Sequence, residues 1–301
     1  MLHSPLVVGV DGSESSLRAL DWALAEAARH DLPLRLVHAS LWERYEGIRP
    51  SFAAERPTDQ VMAEHIVASC AERAHARDPG VRVSADIVPE DPVSALLRAG
   101  QEAFAVVTGS RGRGALPGLL LGSVGLGVAA HASCPVFVVR GDRDSEAGDA
   151  GGAAEPRPRG RVVVGVGEPS DGTSAVRFAL GEAEARGCPL QAVRAWRHAV
   201  HHRPGEEAAA GGGAQAEEAR AAQLLSDVLR AAEADRGRTE VRRAVVEGAT
   251  HRVLLAVSAD ADLVVVGALR RHGRVGLQLG RVAHVLLHHA ECPVAIVPRR
   301  A

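Results

Sequence analysis

A glycine-rich segment in the first half of the 301-residue chain has a spacing suited to holding phosphate. Its pattern is Gly109-x2-Gly112-x9-Gly122-Ser123, and it directly follows an apolar run. Glycines let a backbone approach a phosphate closely, and a Gly-Ser pair at the start of a helix lies where free N–H groups favour an anion. The serine hydroxyl can cap that helix or donate to a phosphate oxygen. The segment therefore predicts a phosphate-binding loop, which we call the glycine loop (residues 109–125).

A second polar segment, Asp11-Gly12-Ser13, follows the first apolar run of the chain. It offers a carboxylate and a hydroxyl to the same ligand, although "DGSESS" is also a good helix start in which Asp11 would act as a cap. The chain contains 35 arginines and no lysine, which excludes a Walker loop and a Schiff-base enzyme. The expected chemistry is therefore a phosphate site that works without lysine.

Composition narrows the function classes further. With 46% hydrophobic and 24% charged residues, the chain can bury a core, and its net charge of −2 gives no basic footprint for nucleic acid. The four cysteines form no CxxC pair, so their spacing suggests neither zinc nor a redox dithiol. The start of the chain lacks the features of a signal peptide, and no apolar stretch reaches the ~20 residues that span a bilayer. We expect a cytoplasmic protein.

The elements that must position these residues follow from periodicity. Residues 6–10 form a continuous apolar run, as in a strand that is covered on both faces, and residues 13–30 have helical spacing. Strand and helix patterns then alternate to residue 139, which favours a parallel sheet with helices on both faces. In such a sheet, ligands bind outside the carboxyl ends of the strands, where both polar segments fall.

The pattern occurs twice. "LVVGVDGSESS" is echoed by "VVVGVGEPSDG", and "HASCPVFVVR" by "HAECPVAIVP", at offsets of 156 and 158 residues. Each repeat has the length of a domain, so we predict domains at residues 1–140 and 161–301. Residues 141–160, rich in Gly, Ala, Pro and charge, are predicted to be a linker, and residues 201–218 an inserted loop.

The combination of "VVTGSRGRG", "LGSV", "CPVFVV" and "VVGVDGSESS" resembles the universal stress protein family across both repeats. The resemblance implies two tandem open five-stranded parallel sheets, order 3-2-1-4-5, with an adenine-nucleotide alpha hydrolase-like fold. It implies ATP as the ligand, with or without Mg²⁺. By matching positions, the implied ligand-binding residues are Asp11, Gly12, Ser13, Val37, Gly109, Arg111, Gly112, Gly122, Ser123 and Val124. One departure is Gly125, where the family often has serine.

The second repeat departs from this pattern at three positions. Gly167 stands where the first repeat has Asp11, so the acidic contact is missing. Arg270 replaces Gly112, and Arg281 replaces Ser123 at a helix start, where a cation is unfavourable. The second repeat is therefore predicted to have a degenerate ATP motif and to act as a structural partner.

Taken together, the residues and the resemblance predict an ATP-binding stress-response regulator that holds one nucleotide, in its first domain. We expect no enzymatic activity beyond slow incidental ATP hydrolysis, because no catalytic base stands beside a water-positioning group. The last strands of the two repeats are expected to pair as an internal pseudo-dimer, with a homodimer and an unknown protein partner open. Two alternatives remain, an interaction scaffold that binds no nucleotide and an ATP-consuming ligase.

Overall fold

The computed structural model describes residues 4–40, 58–112, 121–140, 160–197, 210–232, 237–268 and 279–298. The chain divides into two compact units, Met1–Ala147 (unit one) and Gly148–Ala301 (unit two). The division falls within the segment predicted as a linker, of which residues 141–159 lie outside the described residues. Each unit is an α/β domain built on a parallel sheet.

Unit one alternates strands and helices in the predicted order. Its strands are β1 (Leu6–Gly9), β2 (Leu34–Ala39), β3 (Val83–Val88), β4 (Ala105–Gly109) and β5 (Val136–Val139). Its helices are α1 (Glu14–Arg29), α2 (Thr58–Arg77), α3 (Pro92–Ala99) and α4 (Ser123–His131). Within this unit the sheet has the order β3-β2-β1-β4-β5, with parallel pairing between neighbours. The predicted 3-2-1-4-5 order is therefore confirmed.

Unit two repeats this arrangement. Its strands are β6 (Val162–Gly165), β7 (Leu190–Trp196), β8 (Val241–Glu247), β9 (Leu263–Ala268) and β10 (Val294–Pro298). Its helices are α5 (Pro169–Arg186), α6 (Ala210–Ala231), α7 (Thr250–Ser258) and α8 (Arg281–His289). The strand order within this sheet is β8-β7-β6-β9-β10, again with parallel neighbours. Among the helices in the described ranges, none is long and apolar enough to span a membrane.

The cores explain why these segments form these elements. Leu6, Val7 and Val8 of β1 are fully buried, as a central strand covered on both faces requires. Helix α1 buries the face that carries Leu20 and Leu24 and packs on β4 and β1. Burying a side chain of this size contributes roughly 1.5–3 kcal/mol. Because α1 packs on both β1 and β4, this burial holds together the ends of the two strands.

One prediction was wrong in unit two. Residues 201–218 were expected to form a loop, but α6 runs from Ala210 to Ala231 in spite of the glycines near its start. The second half of this helix buries Ala221, Leu225 and Val228. This packing offsets the roughly 1 kcal/mol that each glycine costs a helix. Residues 201–209 lie outside the described residues.

Candidate functional site

The two predicted phosphate-binding segments of unit one emerge at one edge of its sheet. Strand β1 pairs with β2 on one side and with β4 on the other, so the strand order reverses between β1 and β4. Asp11 follows β1 and Ser110 follows β4, both at the carboxyl ends of parallel strands. Ligands in open parallel sheets bind at such a reversal point.

The turn after β1 is held by its own side chains. Gly12 has a φ of 75°, a conformation that glycine adopts without steric cost. The Oδ1 atom of Asp11 accepts hydrogen bonds from the Ser13 backbone N–H (2.9 Å) and from Ser13 Oγ (2.6 Å). Ser13 is the N-cap of α1, and its hydroxyl accepts from the Ser16 N–H at 3.2 Å. Through Oδ1, Asp11 therefore orders the turn that caps α1.

The other carboxylate oxygen of Asp11, Oδ2, lies against the glycine loop at Gly112. A Cβ built on Gly112 would lie 2.8 Å from Oδ2 of Asp11, closer than such atoms ordinarily approach. A side chain at position 112 would therefore displace the carboxylate. The structure thus brings the predicted acid and the middle glycine of the loop together at one point.

Three hydrogen bonds hold the first part of the loop. The Ser110 N–H donates to the Val139 carbonyl at 3.0 Å, and the Ser110 carbonyl accepts from the Gly122 N–H at 2.6 Å. The Arg111 N–H donates to Oγ of Ser15 at 3.1 Å. The described start of the loop is therefore fixed to β5, to α1 and to the residue that opens α4, and we call this part of the loop the platform.

Sequence reasoning missed Ser15 and Ser110 as parts of this platform. Both are buried, with 6% and 2% of their surfaces exposed. Ser15 lies in the "SESS" segment, where its hydroxyl looked like one of several helix-start serines. The available signal was that a buried hydroxyl at the start of α1 must find a partner, and the loop after the neighbouring strand supplies it.

The glycines of the loop serve different purposes. A Cβ at Gly109 would lie 2.6 Å from both the carbonyl oxygen and Oγ of Ser15, so glycine is required for β4 to approach α1. A Cβ at Gly122 would lie 3.6 Å from the Arg111 Cα and from the Ser110 oxygen, which is an ordinary contact. Packing therefore explains Gly109, whereas Gly122 keeps open a space beside Arg111 that a side chain could fill.

Helix α4 presents its N-terminus to the same space. Gly122 is its N-cap and supplies no side-chain hydrogen bond, and no acidic residue lies in the first turn. Ser123 is exposed, Val124 is half-buried, and Gly125 is buried. The first N–H groups of a helix have no acceptor within that helix, and its dipole favours a negative charge there. Residues 113–120 of the loop lie outside the described residues.

The remaining predicted contact, Val37, lies on β2 with only 2% of its surface exposed. It lines a cavity of about 180 Å³ together with Ala95 and Ala99 of α3, and none of the other predicted ligand-binding residues lines it. Its carbonyl accepts from the Val10 N–H at 3.0 Å. The structure thus places Val37 beside β1, in the sheet and apart from the loop.

The neighbouring His38 is 9% exposed and bonds the Val10 carbonyl through Nδ1 at 2.7 Å. A carbonyl can only accept, so Nδ1 carries the proton in this bond. His38 is therefore a core histidine with a satisfied hydrogen bond. In α2, burial raises the pKa of the Cys70 thiol. The charge of Arg73 opposes this shift and the charge of Asp11 adds to it, so the thiol stays neutral.

Unit two differs at the matching edge. Gly167, which replaces Asp11, is exposed and offers no carboxylate. Arg194 stands where unit one has His38, and it donates to the Val166 carbonyl (3.1 Å) and to Oε1 of Glu168 (2.8 Å). Arg281 occupies the first turn of α8, whose N-cap Gly280 has no side-chain hydrogen bond. Arg270 lies outside the described residues. An arginine–glutamate pair therefore occupies the position of the polar turn of unit one.

The sequence profile of the universal stress protein family matches residues 3–140 and 158–298 of this chain. A universal stress protein of Mycobacterium tuberculosis is 33% identical over 310 residues, covering 97% of this chain and 96% of that protein. One of Mycolicibacterium smegmatis is 31% identical over 307 residues, covering 98% and 97%. The crystal structure of a universal stress protein from Archaeoglobus fulgidus superposes with a TM-score of 0.64 at 18% identity, covering 99% of this chain and 97% of that one. Both units have the adenine-nucleotide alpha hydrolase-like fold.

Proposed function

Since this chain belongs to the universal stress protein family, with two tandem domains, we propose that it is a nucleotide-dependent stress-response regulator that binds ATP in unit one only. The observation that supports this most is the glycine loop, which three hydrogen bonds hold beside Asp11 and the N-terminus of α4. Binding of ATP at that site, rather than its hydrolysis, would change how the protein binds a partner protein.

In this proposal the phosphates of ATP lie in the space beside Gly122. On one side lies the backbone of Arg111 and Gly112, and on the other the uncapped first turn of α4. Backbone N–H groups of such a turn bind phosphate oxygens, and Ser123 adds a hydroxyl. This arrangement needs no lysine, in agreement with a chain that has none.

Asp11 is the acid proposed to contact the nucleotide. Its Oδ1 is engaged by Ser13, whereas Oδ2 faces Gly112 at the loop. A carboxylate in this position can accept from a ribose hydroxyl. Where Mg²⁺ accompanies the nucleotide, carboxylate and phosphate oxygens are the ligands it prefers, and Asp11 would provide the carboxylate.

A binding role fits this edge better than catalysis. A catalytic base must reach the attacking water, and His38, which donates to the Val10 carbonyl through Nδ1, is only 9% exposed. We therefore expect ATP hydrolysis, if measured, to be slow and incidental. A ligase would in addition need a site for a second substrate.

Unit two is proposed to be the structural partner. It lacks the acid, and Arg194 together with Glu168 stands at the matching turn. A nucleotide bound as in unit one would have to displace this pair, and it would find Gly167 in place of the Asp11 carboxylate. Pairing of the last strands into a pseudo-dimer and assembly of a homodimer stay predictions.

The proposal is tested by titrating ATP into the full chain and three variants. D11N keeps an oxygen for the Ser13 hydrogen bonds but removes the charge, and G122A fills the space beside Arg111. G280A makes the same change at the matching helix start of unit two and is the control. We expect D11N to weaken ATP binding about tenfold or more, since a lost charged hydrogen bond is worth roughly 1.5–3 kcal/mol. We expect a similar loss in G122A, because the added methyl group occupies the space proposed for the phosphates.

The control G280A is expected to bind ATP as the unmodified chain does. Thermal unfolding of each variant separates loss of binding from loss of structure. Equal losses in G122A and G280A would contradict a site confined to unit one. A chain that binds no ATP at all would favour the alternative, an interaction scaffold that binds no nucleotide.

A further inference from the structure

The carboxyl edge of unit two has a different charge from that of unit one. Both sheets have the same pairing register, with Leu34 opposite Val83 in one and Leu190 opposite Val241 in the other. Positions of the two edges can therefore be matched one by one. The acids of unit one at this edge are replaced by uncharged residues: Asp11, Glu90 and Asp91 correspond to Gly167, Gly248 and Ala249.

Basic residues are gained at the same edge. Arginines are gained in unit two where His38, Ser94 and Ser123 of unit one correspond to Arg194, Arg252 and Arg281, and His251 replaces Val93. Arg197 joins them because it follows directly after β7. Two acids enter as well, Glu168, which Arg194 binds, and the exposed Glu247. Glu168 pairs with Arg194, so the remaining basic residues outnumber the one remaining acid of this set, Glu247.

Contacts bring these residues to one place. The Gly248 N–H donates to the Trp196 carbonyl at 2.8 Å, which lays the start of α7 against the end of β7 and therefore near Arg197. Helices α7 and α8 pack against each other, with His251 and Arg252 at the start of one and Arg281 at the start of the other. Partial burial and then the charges of Arg281, Arg252 and Arg197 lower the pKa of His251, which agrees with this proximity.

We propose that this basic edge of unit two, formed by Arg197, His251, Arg252 and Arg281, binds an oligophosphate, that is, an anion carrying two or more linked phosphate groups. Guanidinium groups bind phosphate oxygens in pairs, and several arginines around one anion neutralise the repulsion that they exert on one another. Without such an anion, the guanidinium groups of Arg252 and Arg281 stand at two helix starts, where cations are unfavourable.

The size and composition of the edge favour a small anion. A nucleic-acid surface requires basic residues spread over an extended face, and the net charge of this chain is −2. The edge also lacks the carboxylate that the proposed ATP site of unit one offers to a nucleotide, so recognition would depend on the phosphates alone. This inference is independent of ATP binding by unit one.

The test is a calorimetric titration of the full chain with pyrophosphate, comparing two double variants of equal charge. R252S/R281S installs the serines that unit one has at the matching positions. R242S/R243S removes two arginines from the start of β8, at the opposite edge of the same sheet. We expect the first pair to weaken pyrophosphate binding about tenfold or more, and the second about twofold or less, since only the first removes arginines from the proposed site.

Hydrogen exchange locates the bound anion independently of affinity. Pyrophosphate is expected to slow exchange at the starts of α7 and α8, and AMP, with a single phosphate, is expected not to do so. ATP protecting the same segments would identify the triphosphate of a nucleotide as a source of the ligand and would contradict the confinement of ATP to unit one, whereas pyrophosphate protecting them alone would identify a free oligophosphate.

Three results would overturn the proposal. One is the absence of pyrophosphate binding in a chain whose thermal unfolding is normal. Another is an equal loss of affinity in both double variants, which would mean that total charge and not this edge binds the anion. The third is protection that appears only in unit one, or protection of unit two by AMP as strong as that by pyrophosphate.

Discussion

Replacing Gly109 with alanine is expected to detach the glycine loop from helix α1. The new Cβ would lie 2.6 Å from the Ser15 carbonyl oxygen and from its Oγ, and 2.8 Å from the carbonyl carbon. Because two of these atoms belong to the backbone, a change of side-chain rotamer cannot relieve the contact, and the end of β4 or the start of α1 must shift. Overpacking of this kind costs about 1–3 kcal/mol.

A second contribution comes from the hydrogen bond between the Arg111 N–H and Ser15 Oγ, which the shift would break. Its loss adds about 0.5–1.5 kcal/mol, so the expected destabilisation of unit one is about 1.5–4.5 kcal/mol. G122A is the matched comparison, because its Cβ meets no atom closer than 3.6 Å. It should cost about 1 kcal/mol or less, as expected for a change at an N-cap.

The assay is urea unfolding combined with hydrogen exchange of peptides that cover β4 and the start of α1. G109A should lower both the unfolding midpoint and the local protection, whereas G122A should lower ATP affinity with protection nearly unchanged. A G109A chain that is as stable as the unmodified one would refute the claim that Ser15 holds the loop. So would a G122A chain that loses as much stability as G109A.

Two further predictions concern buried groups of unit one. Burial raises the pKa of the Cys134 thiol to about 11, so the stability it contributes is complete below pH 9 and falls as the pH rises towards 11. C134A should flatten part of that alkaline fall in urea unfolding, and an unchanged pH profile would count against the buried neutral thiol. H38Q, which can still donate to the Val10 carbonyl, should retain stability, whereas H38A should lose about 1 kcal/mol. Neither variant should change the rate of ATP hydrolysis, and a large loss of hydrolysis in H38Q would instead indicate a catalytic base.

Much of the fold could be predicted because periodicity and repetition agree. The apolar run at residues 6–10 became β1, and the segment with helical spacing at residues 13–30 became α1. Helix α6 was missed because the glycines near its start look like a loop, and only the burial of Leu225 and Val228 reveals why it forms. Tertiary packing overrode local propensity there.

The candidate site was only partly readable from the sequence. The carboxyl ends of β1 and β4 had to meet, so the proximity of Asp11 and the glycine loop followed from topology. The role of Ser15 did not, because a hydroxyl in a serine-rich segment gives no sign of which partner it meets across 96 positions of sequence. Nor could the sequence show that Arg194 reaches both Val166 and Glu168.

The most direct test of the central claim is the number of ATP molecules bound per chain. Native mass spectrometry of the full chain in saturating ATP, repeated with D11N, counts the ligand and assigns it to a unit. We expect one ATP per chain and its loss in D11N. Two ATP molecules per chain, or one that persists in D11N and disappears in R281S, would contradict it.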